Sequence, residues 1–262
     1  MMTNWLEFLN DFRNQEGEMQ SKLNFLLDKI EEFDSNKVFK TDKRGLHSYI
    51  NNLYEPLFEL ISHPKLIIEI GIFRGVSIAL WKSFYPEATV IGVDKMLNKD
   101  LCPVFSDMLH NNQIVVMIED GYNNNFEQKL PNGIDILIDD GPHTLDSQIF
   151  FLRYRSKLSI KGVLIIEDIS GGFKSISRLI KSLNSDEVIN LVCIPLMFNS
   201  GRFDDLVLIY SKNVEIIEFF KNQLTTIQKI ALKSKIAYQI LKPFVLIARI
   251  RNLIRNRVKN WL

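Results

Sequence analysis

The sequence predicts an α/β fold built on a mostly parallel sheet, with helical segments at both ends of the chain. Three observations predict it. Short apolar runs rich in Ile and Val recur after residue 65, and segments of helical periodicity separate them. Such near-continuous apolar strands are typical of a parallel sheet covered on both faces. The last two runs are joined by a short, turn-rich connection, which permits an antiparallel pair at the sheet edge.

The elements follow in chain order. Apolar residues at helical spacing predict helices over residues 5–12, 19–30 and 48–61, and the His63-Pro64 pair ends the third. Strands are predicted over residues 66–71, 89–94, 113–120, 134–141, 162–169, 188–197 and 204–211. We expect an N-terminal helical segment over residues 1–62, an α/β domain over 63–212 and a basic helical extension over 213–262.

Composition narrows the class of protein. The 262 residues are 46% hydrophobic and 24% charged, as in a soluble globular protein. Two cysteines exclude a disulfide scaffold and a four-cysteine zinc site, and they suit a reducing compartment. Acidic residues near the N-terminus are unlike a signal peptide, and no apolar run approaches the length of a membrane span. We therefore expect a cytoplasmic protein.

The net charge of +1 is unevenly distributed, because the C-terminal residues from Lys221 onward form a basic tail. From Lys221 onward the chain has ten Lys or Arg residues and no acidic one, so the first 220 residues, with 22 basic and 31 acidic side chains, carry −9. The tail has an apolar stripe at helical spacing, interrupted by Pro243. Its members are Ile240, Phe244, Ile247, Ile254 and Val258.

Two interpretations of this tail stay open. The stripe packs on the α/β domain or a second subunit, or it lies on the inner face of an anionic membrane. We favour packing and expect a homo-oligomer. Nucleic-acid binding is disfavoured because the acidic body would repel a phosphate backbone.

Carboxylates mark the ends of five successive predicted strands, where open α/β sheets bind their ligands. They are Glu69, Asp94, Asp120, the pair Asp139-Asp140 and the pair Glu167-Asp168. Ionised groups at the ends of apolar strands are costly unless something pairs with them. A single such carboxylate fits a helix-capping role, but five strand ends in succession indicate a ligand site at this edge.

The loop after the first strand resembles a nucleotide-binding turn, with Gly71 and Gly75 permitting a tight backbone. Phe73 replaces the middle glycine of a dinucleotide fingerprint, and Glu69 would repel a phosphate. A cationic ligand without phosphate suits this loop better. Asp94, 23 residues after Gly71, is placed to accept ribose hydroxyls.

The fourth and fifth strand ends carry the sharpest motifs, Asp139-Asp140-Gly-Pro-His143 and Glu167-Asp168. Clustered carboxylates would repel one another unless a cation bound or protons were retained. Oxygen ligands of this kind suit Mg²⁺ rather than zinc. The alternative is that Glu167 and Asp168 cap a loop and that His143 lies on the surface.

Taken together, Glu69, Gly71, Asp94 and Asp120 resemble the S-adenosylmethionine (SAM) site of a class I methyltransferase, with Asp120 near the adenine amino group. The segments TDKRGLHSYINNLYEPLF, LIIEIGIFRGVSIALWKSFYPEATVIGVD, IDILIDDGPHTLDSQIFFL and GVLIIEDI resemble the metal-dependent sugar O-methyltransferases. These include macrolide deoxysugar enzymes and relatives from bacterial capsule and polysaccharide clusters. The resemblance spans roughly residues 41–211 and includes Lys43, His47 and Tyr49.

The resemblance implies a Rossmann-like class I sheet, SAM as cofactor, and Mg²⁺ held by Asp140, Glu167 and Asp168. It implies His143 as the base, with Pro142 departing from the family's usual residue before that histidine. Lys43 and His47 are candidates to close over a sugar or nucleotide-sugar acceptor, although Lys43 also fits a solvated surface charge. The residues expected at the SAM site are Glu69, Gly71, Phe73, Gly75, Asp94, Lys95, Asp120 and Asp139.

Two other functions remain open at this point. A nicotinamide-dependent sugar oxidoreductase would use the same fold, but Phe73 and the acidic strand ends disfavour it. A non-catalytic module, with the tail acting on a membrane or a partner, would be expected to have a degenerate site. The motifs are intact, so we expect a SAM-dependent O-methyltransferase.

Overall fold

The computed structural model is organised around a seven-stranded sheet in the order β3-β2-β1-β4-β5-β7-β6. It describes residues 22–33, 49–202 and 204–232, together with residues 5, 9, 41, 43, 44, 241, 244, 245, 247 and 248. The strands are β1 (Leu66–Ile70), β2 (Thr89–Asp94), β3 (Val115–Ile118), β4 (Ile134–Asp139), β5 (Leu158–Ile166), β6 (Leu191–Pro195) and β7 (Leu206–Ser211). Strands β1 to β5 pair in parallel, and β7 runs antiparallel to β5 and β6. The predicted fold class is confirmed.

Helices cover both faces of the sheet and bury its apolar residues in two core clusters. The helices are α1 (Lys22–Phe33), α2 (Glu55–Leu60), α3 (Val76–Phe84), α4 (Pro103–His110), α5 (Asn124–Lys129), α6 (Leu145–Phe151), α7 (Phe173–Lys181), α8 (Met197–Ser200), α9 (Val214–Gln223) and α10 (Thr226–Ala231). Strand β1, most of β4 and the second half of β5 are buried, and their side chains are mainly apolar.

The described residues of the N-terminal segment contribute to one of the two core clusters. Helix α1 buries Leu23, Leu26, Leu27 and Ile30, as its periodicity predicts. The third predicted helix differs from expectation: Ile50–Tyr54 forms a π-helical turn that continues into α2. The helix ends at Leu60, shortly before the His63-Pro64 pair.

The strand order reverses between β1 and β4, which are direct neighbours in the centre of the sheet. In a doubly wound sheet the ligand crevice lies at this switch point, beyond the carboxyl ends of the strands. The ends of β1, β4 and β5 therefore meet at one edge, and they carry the motifs singled out in the sequence.

Two apolar residues of the tail pack inward and two face solvent. Val245 and Ala248 are buried, with Val245 in the same core cluster as α7, whereas Phe244 and Ile247 of the predicted stripe are exposed. Ile240, Ile254 and Val258 lie outside the described residues. Within the part of the chain that the structure describes, no helix is long and apolar enough to cross a bilayer.

Gly71 allows the close approach of β1 and β4 at the switch point. It has φ +106°, and a Cβ atom there would lie 2.0 Å from the Asp140 carbonyl oxygen. We expect Gly71→Ala to lower the free energy of unfolding by about 3 kcal/mol or more, from left-handed strain and overpacking. The matched control is Gly133→Ala. Gly133 has φ +83°, but beyond its chain neighbours a Cβ atom there would have no atom of the described residues within 4 Å.

Urea unfolding of both variants measures the difference. The Gly133 change should cost only the conformational part, about 1–2 kcal/mol. Equal losses in the two variants would contradict the proposed backbone contact between β1 and β4.

Candidate active site

One buried lysine, Lys43, lies close to carboxylates at the carboxyl ends of three strands, β1, β4 and β5. Lys43 is 1% exposed, and its Nζ donates to Asp140 Oδ2 at 2.7 Å and to Glu167 Oε2 at 2.5 Å. The same nitrogen lies 3.8 Å from Glu69 Oε1. Burial alone would lower the pKa of Lys43, but Asp140 and Glu167 outweigh it and raise that pKa well above its ordinary value. The Lys43 ammonium group is thus paired with carboxylates inside an acidic cluster.

Glu69 is fully buried at the end of β1 and bonded to the first turns of α3. Ser77 Oγ donates to one of its carboxylate oxygens at 2.7 Å, and the Trp81 indole N–H donates to the other. Burial raises the pKa of Glu69 to about 7, against the opposing effect of Lys43. The carboxylate therefore contacts α3 on one side and Lys43 on the other.

Two tyrosines hold the carboxylates that follow β5. The Tyr54 hydroxyl donates to Glu167 Oε1, and the Tyr49 hydroxyl donates to Asp168 Oδ1 at 2.5 Å. Burial raises the pKa of Glu167 well above its usual range, despite the charge of Lys43. Burial next to the carboxylates also raises the pKa of both tyrosines, so they remain neutral donors.

Asp140, His143 and Asp168 form a cluster that can hold a metal ion. Each offers one ligand atom, and these atoms lie within 4.8 Å of one another. His143 Nε2 is 3.9 Å from Asp140 Oδ1 and 3.8 Å from Asp168 Oδ2, longer than hydrogen bonds. The imidazole is 36% exposed and so is accessible to a ligand at the edge of the sheet.

Asp94, at the end of β2, fixes the loop between β1 and α3. Its Oδ2 accepts the backbone N–H groups of Ile72 at 2.9 Å and Phe73 at 3.3 Å. Its Oδ1 is 3.5 Å from the backbone nitrogen of Met96. Phe73 and Met96 are both largely exposed, which leaves apolar side chains beside this carboxylate.

The remaining carboxylates at this edge differ in their surroundings. Asp120 is partly exposed and pairs with Lys95 at 3.1 Å. Asp139 is buried, and its Oδ1 accepts the Tyr122 hydroxyl and the Gly141 N–H. Burial raises the pKa of Asp139 to about 6. Its Oδ2 is buried without a hydrogen-bond partner among the described residues.

The structure gives Glu167 and Lys43 surroundings that the sequence did not predict. Glu167 is buried against Lys43 and Tyr54, and its role as a metal ligand with Asp140 and Asp168 stays a prediction. Lys43 was expected to close over an acceptor or to be solvated. Its burial excludes a solvated surface charge, whereas a role toward an acceptor stays a prediction.

Other predicted positions are placed as follows. Gly71, Phe73 and Gly75 form the loop between β1 and α3, and Asp94 holds that loop. His47 lies outside the described residues. Sequence reasoning assigned no role to Tyr49, Tyr54 or Tyr122. The first two stand in the TDKRGLHSYINNLY segment, but a tyrosine pattern alone does not reveal which carboxylate it will reach.

No family model matches the sequence, and neither does any curated protein. Solved structures do match. The SAH-bound methyltransferase PaMTH1 of Podospora anserina is 13% identical, with a TM-score of 0.51 over 80% of this chain and 96% of that one. A protein of Klebsiella pneumoniae described as a candidate O-methyltransferase is 11% identical, with a TM-score of 0.50 over 78% of this chain and 96% of its own. The chain has the class I Rossmann-like methyltransferase fold.

Proposed function

We propose that this protein transfers a methyl group from SAM to a hydroxyl oxygen of a sugar, with a divalent cation at the acceptor. One observation carries the proposal: Asp140, His143 and Asp168 converge at the strand ends of a class I methyltransferase fold, at the switch point where ligands bind. The cluster combines two oxygen ligands with a base, which is what metal-assisted deprotonation of a hydroxyl requires.

The residues near the β1–α3 loop fit SAM. Asp94 anchors the loop through Oδ2 and directs Oδ1 toward Met96, so this carboxylate can still accept hydrogen bonds from a ribose. The unpaired Asp139 Oδ2 requires a donor, and the ammonium group of SAM can supply one. A sulfonium cation also suits an edge lined by carboxylates better than a dinucleotide phosphate would.

Asp140 and Asp168 would hold the cation. Mg²⁺ is commonly bound through one or two carboxylates, with its remaining positions left to water and substrate oxygens. When bound, it would lower the pKa of a coordinated hydroxyl and orient the acceptor. A sugar fits this arrangement because two adjacent hydroxyls can share one cation, and the resemblance to sugar O-methyltransferases supports the same class of acceptor.

Methyl transfer requires a base for the acceptor hydroxyl and an in-line arrangement of the acceptor oxygen and the SAM methyl group. The acceptor oxygen attacks the methyl carbon of SAM, so that the O–CH₃ bond forms while the S–CH₃ bond breaks. His143 takes the hydroxyl proton, and the products are a methyl ether and S-adenosylhomocysteine. Asp140 Oδ1 and Asp168 Oδ2 lie within 4 Å of the His143 Nε2, which places this base beside the acceptor that the cation would hold. Holding both reactants in line supplies much of the rate.

The cofactor assignment is tested by titration calorimetry with SAM and, separately, with NAD⁺. We expect SAM to bind and NAD⁺ not to bind. Asp94→Asn keeps an oxygen for the Ile72 N–H but loses the charge, so SAM affinity should fall by about 1.5–3 kcal/mol, roughly 10- to 100-fold. Unchanged affinity in the folded variant would remove Asp94 from the SAM site.

The reaction is tested by screening nucleotide-sugars with labelled SAM, with and without Mg²⁺. EDTA should abolish methyl transfer, and added Mg²⁺ should restore it. His143→Ala should lower kcat by about 10²–10⁴ if the imidazole is the base. Full activity after exhaustive chelation would contradict the metal role, and a loss below tenfold in the variant would contradict the base.

A further inference from the structure

The described residues of the basic tail use two of their apolar side chains for packing and leave two others accessible. Residues 244, 245, 247 and 248 are helical. Val245 and Ala248 are buried, whereas Phe244 is 48% and Ile247 is 60% exposed. The exposed pair belongs to the apolar stripe that the sequence predicts. The tail is therefore anchored by other residues, and these two members of its stripe remain open to a partner.

A basic helix lies on the same face of the sheet as the tail. Val245 belongs to the core cluster that also contains Ile176 and Leu179 of α7. The exposed side of α7 is a basic stripe with i, i+4, i+7 spacing, which places its members on one face of the helix. These members are Lys174, Arg178 and Lys181. Together with Phe244 and Ile247 they form what we call the basic–apolar surface.

Positive charge dominates both parts of the basic–apolar surface. Helix α7 contains no acidic residue, and from Lys221 onward the chain has ten Lys or Arg residues and none that is acidic. Arg178 pairs with the exposed Asp146 of α6 at 3.7 Å. An exposed ion pair of this kind contributes little, so another anion can replace the aspartate. The surface therefore complements a partner that is both anionic and apolar.

We propose that the basic–apolar surface binds an anionic lipid bilayer, with Phe244 and Ile247 buried at the level of the headgroups and the basic side chains against lipid phosphates. Apolar burial and attraction to anionic lipids are the two contributions that hold an amphipathic helix in the plane of a membrane interface. The proposal is independent of the proposed function, because it uses none of the residues assigned to SAM or to the cation.

Other partners complement this surface less well. A two-fold dimer brings the same patch of both copies together, so a second copy would place basic residues against basic residues. Nucleic acid would pair with the positive charge through its phosphates but would leave Phe244 and Ile247 in water. A bilayer with anionic headgroups satisfies both the charge and the apolar side chains.

Flotation of the full-length protein with lipid vesicles tests the proposal. We expect binding to vesicles of phosphatidylcholine that contain phosphatidylglycerol, and much weaker binding to phosphatidylcholine alone. High salt should release the protein from the anionic vesicles, because it screens the attraction between exposed charges. Failure to bind the anionic vesicles, or equal binding to both kinds, would overturn the proposal.

A double variant of the two exposed apolar residues tests their insertion. Phe244→Ser combined with Ile247→Ser should lower the vesicle partition coefficient about tenfold or more, because the apolar contribution is lost. The matched control is Ile160→Ser, which removes an isoleucine of β5 that is 88% exposed and should leave binding unchanged. Circular dichroism of each variant checks the fold. Unchanged binding by the folded double variant would overturn the role of the tail.

Lysine variants of equal charge separate this surface from the net charge of the protein. Lys174→Gln combined with Lys181→Gln should lower the partition coefficient about 25-fold, roughly fivefold for each charge. The control pair, Lys65→Gln with Lys161→Gln, removes two exposed charges near the amino ends of β1 and β5 and should have little effect. Equal losses in the two pairs would overturn the role of α7.

Light scattering without lipid identifies the competing partner. If the wild-type protein is a dimer that does not float with vesicles, and the Phe244→Ser, Ile247→Ser variant is a monomer, a second copy covers the surface and the proposal is wrong. A wild-type protein that binds anionic vesicles, and whose oligomeric state is the same in this variant, agrees with the bilayer as the partner.

Discussion

The candidate site depends on the ion pairs that the Lys43 ammonium group forms with carboxylates at the strand ends. This ammonium group lies among carboxylates from the ends of β1, β4 and β5, three strands that would otherwise bring like charges together at a largely buried position. Removing one member of a buried ion pair lowers the stability of a protein by more than the intact pair contributes to it, because the remaining charge has no partner. Lys43 thus allows an acidic edge to form before any ligand arrives.

This arrangement makes the N-terminal segment part of the site. Lys43, Tyr49 and Tyr54 precede the first strand, yet all three end on carboxylates that follow β4 or β5. The α/β sheet supplies the strand ends, and the segment before it donates hydrogen bonds to the carboxylates there. A fold shared with many methyltransferases is thereby adapted by residues outside its sheet, consistent with function residing in the site rather than in the fold.

The sequence predicted the sheet well because buried parallel strands are encoded locally, as apolar runs ending in glycine or a carboxylate. It also predicted that Asp140, His143, Glu167 and Asp168 lie at one edge, since the carboxyl ends of neighbouring parallel strands must meet. The sequence could not show that the Glu167 side chain is buried. Its burial depends on contacts with Lys43 and Tyr54, which lie more than 100 positions earlier in the chain. The sequence did not predict the π turn over Ile50–Tyr54 either, because the apolar spacing over residues 48–61 is that of an ordinary α-helix.

A double-mutant cycle on Lys43 and Glu167 tests the central claim most directly, with unfolding free energies measured in urea. We expect Lys43→Met to cost about 3–5 kcal/mol, because Glu167 and Asp140 lose their counter-ion. Adding Glu167→Gln should recover part of that loss, giving a coupling energy of about 1–3 kcal/mol. Strictly additive effects of the two substitutions would contradict a site organised around this buried ion pair.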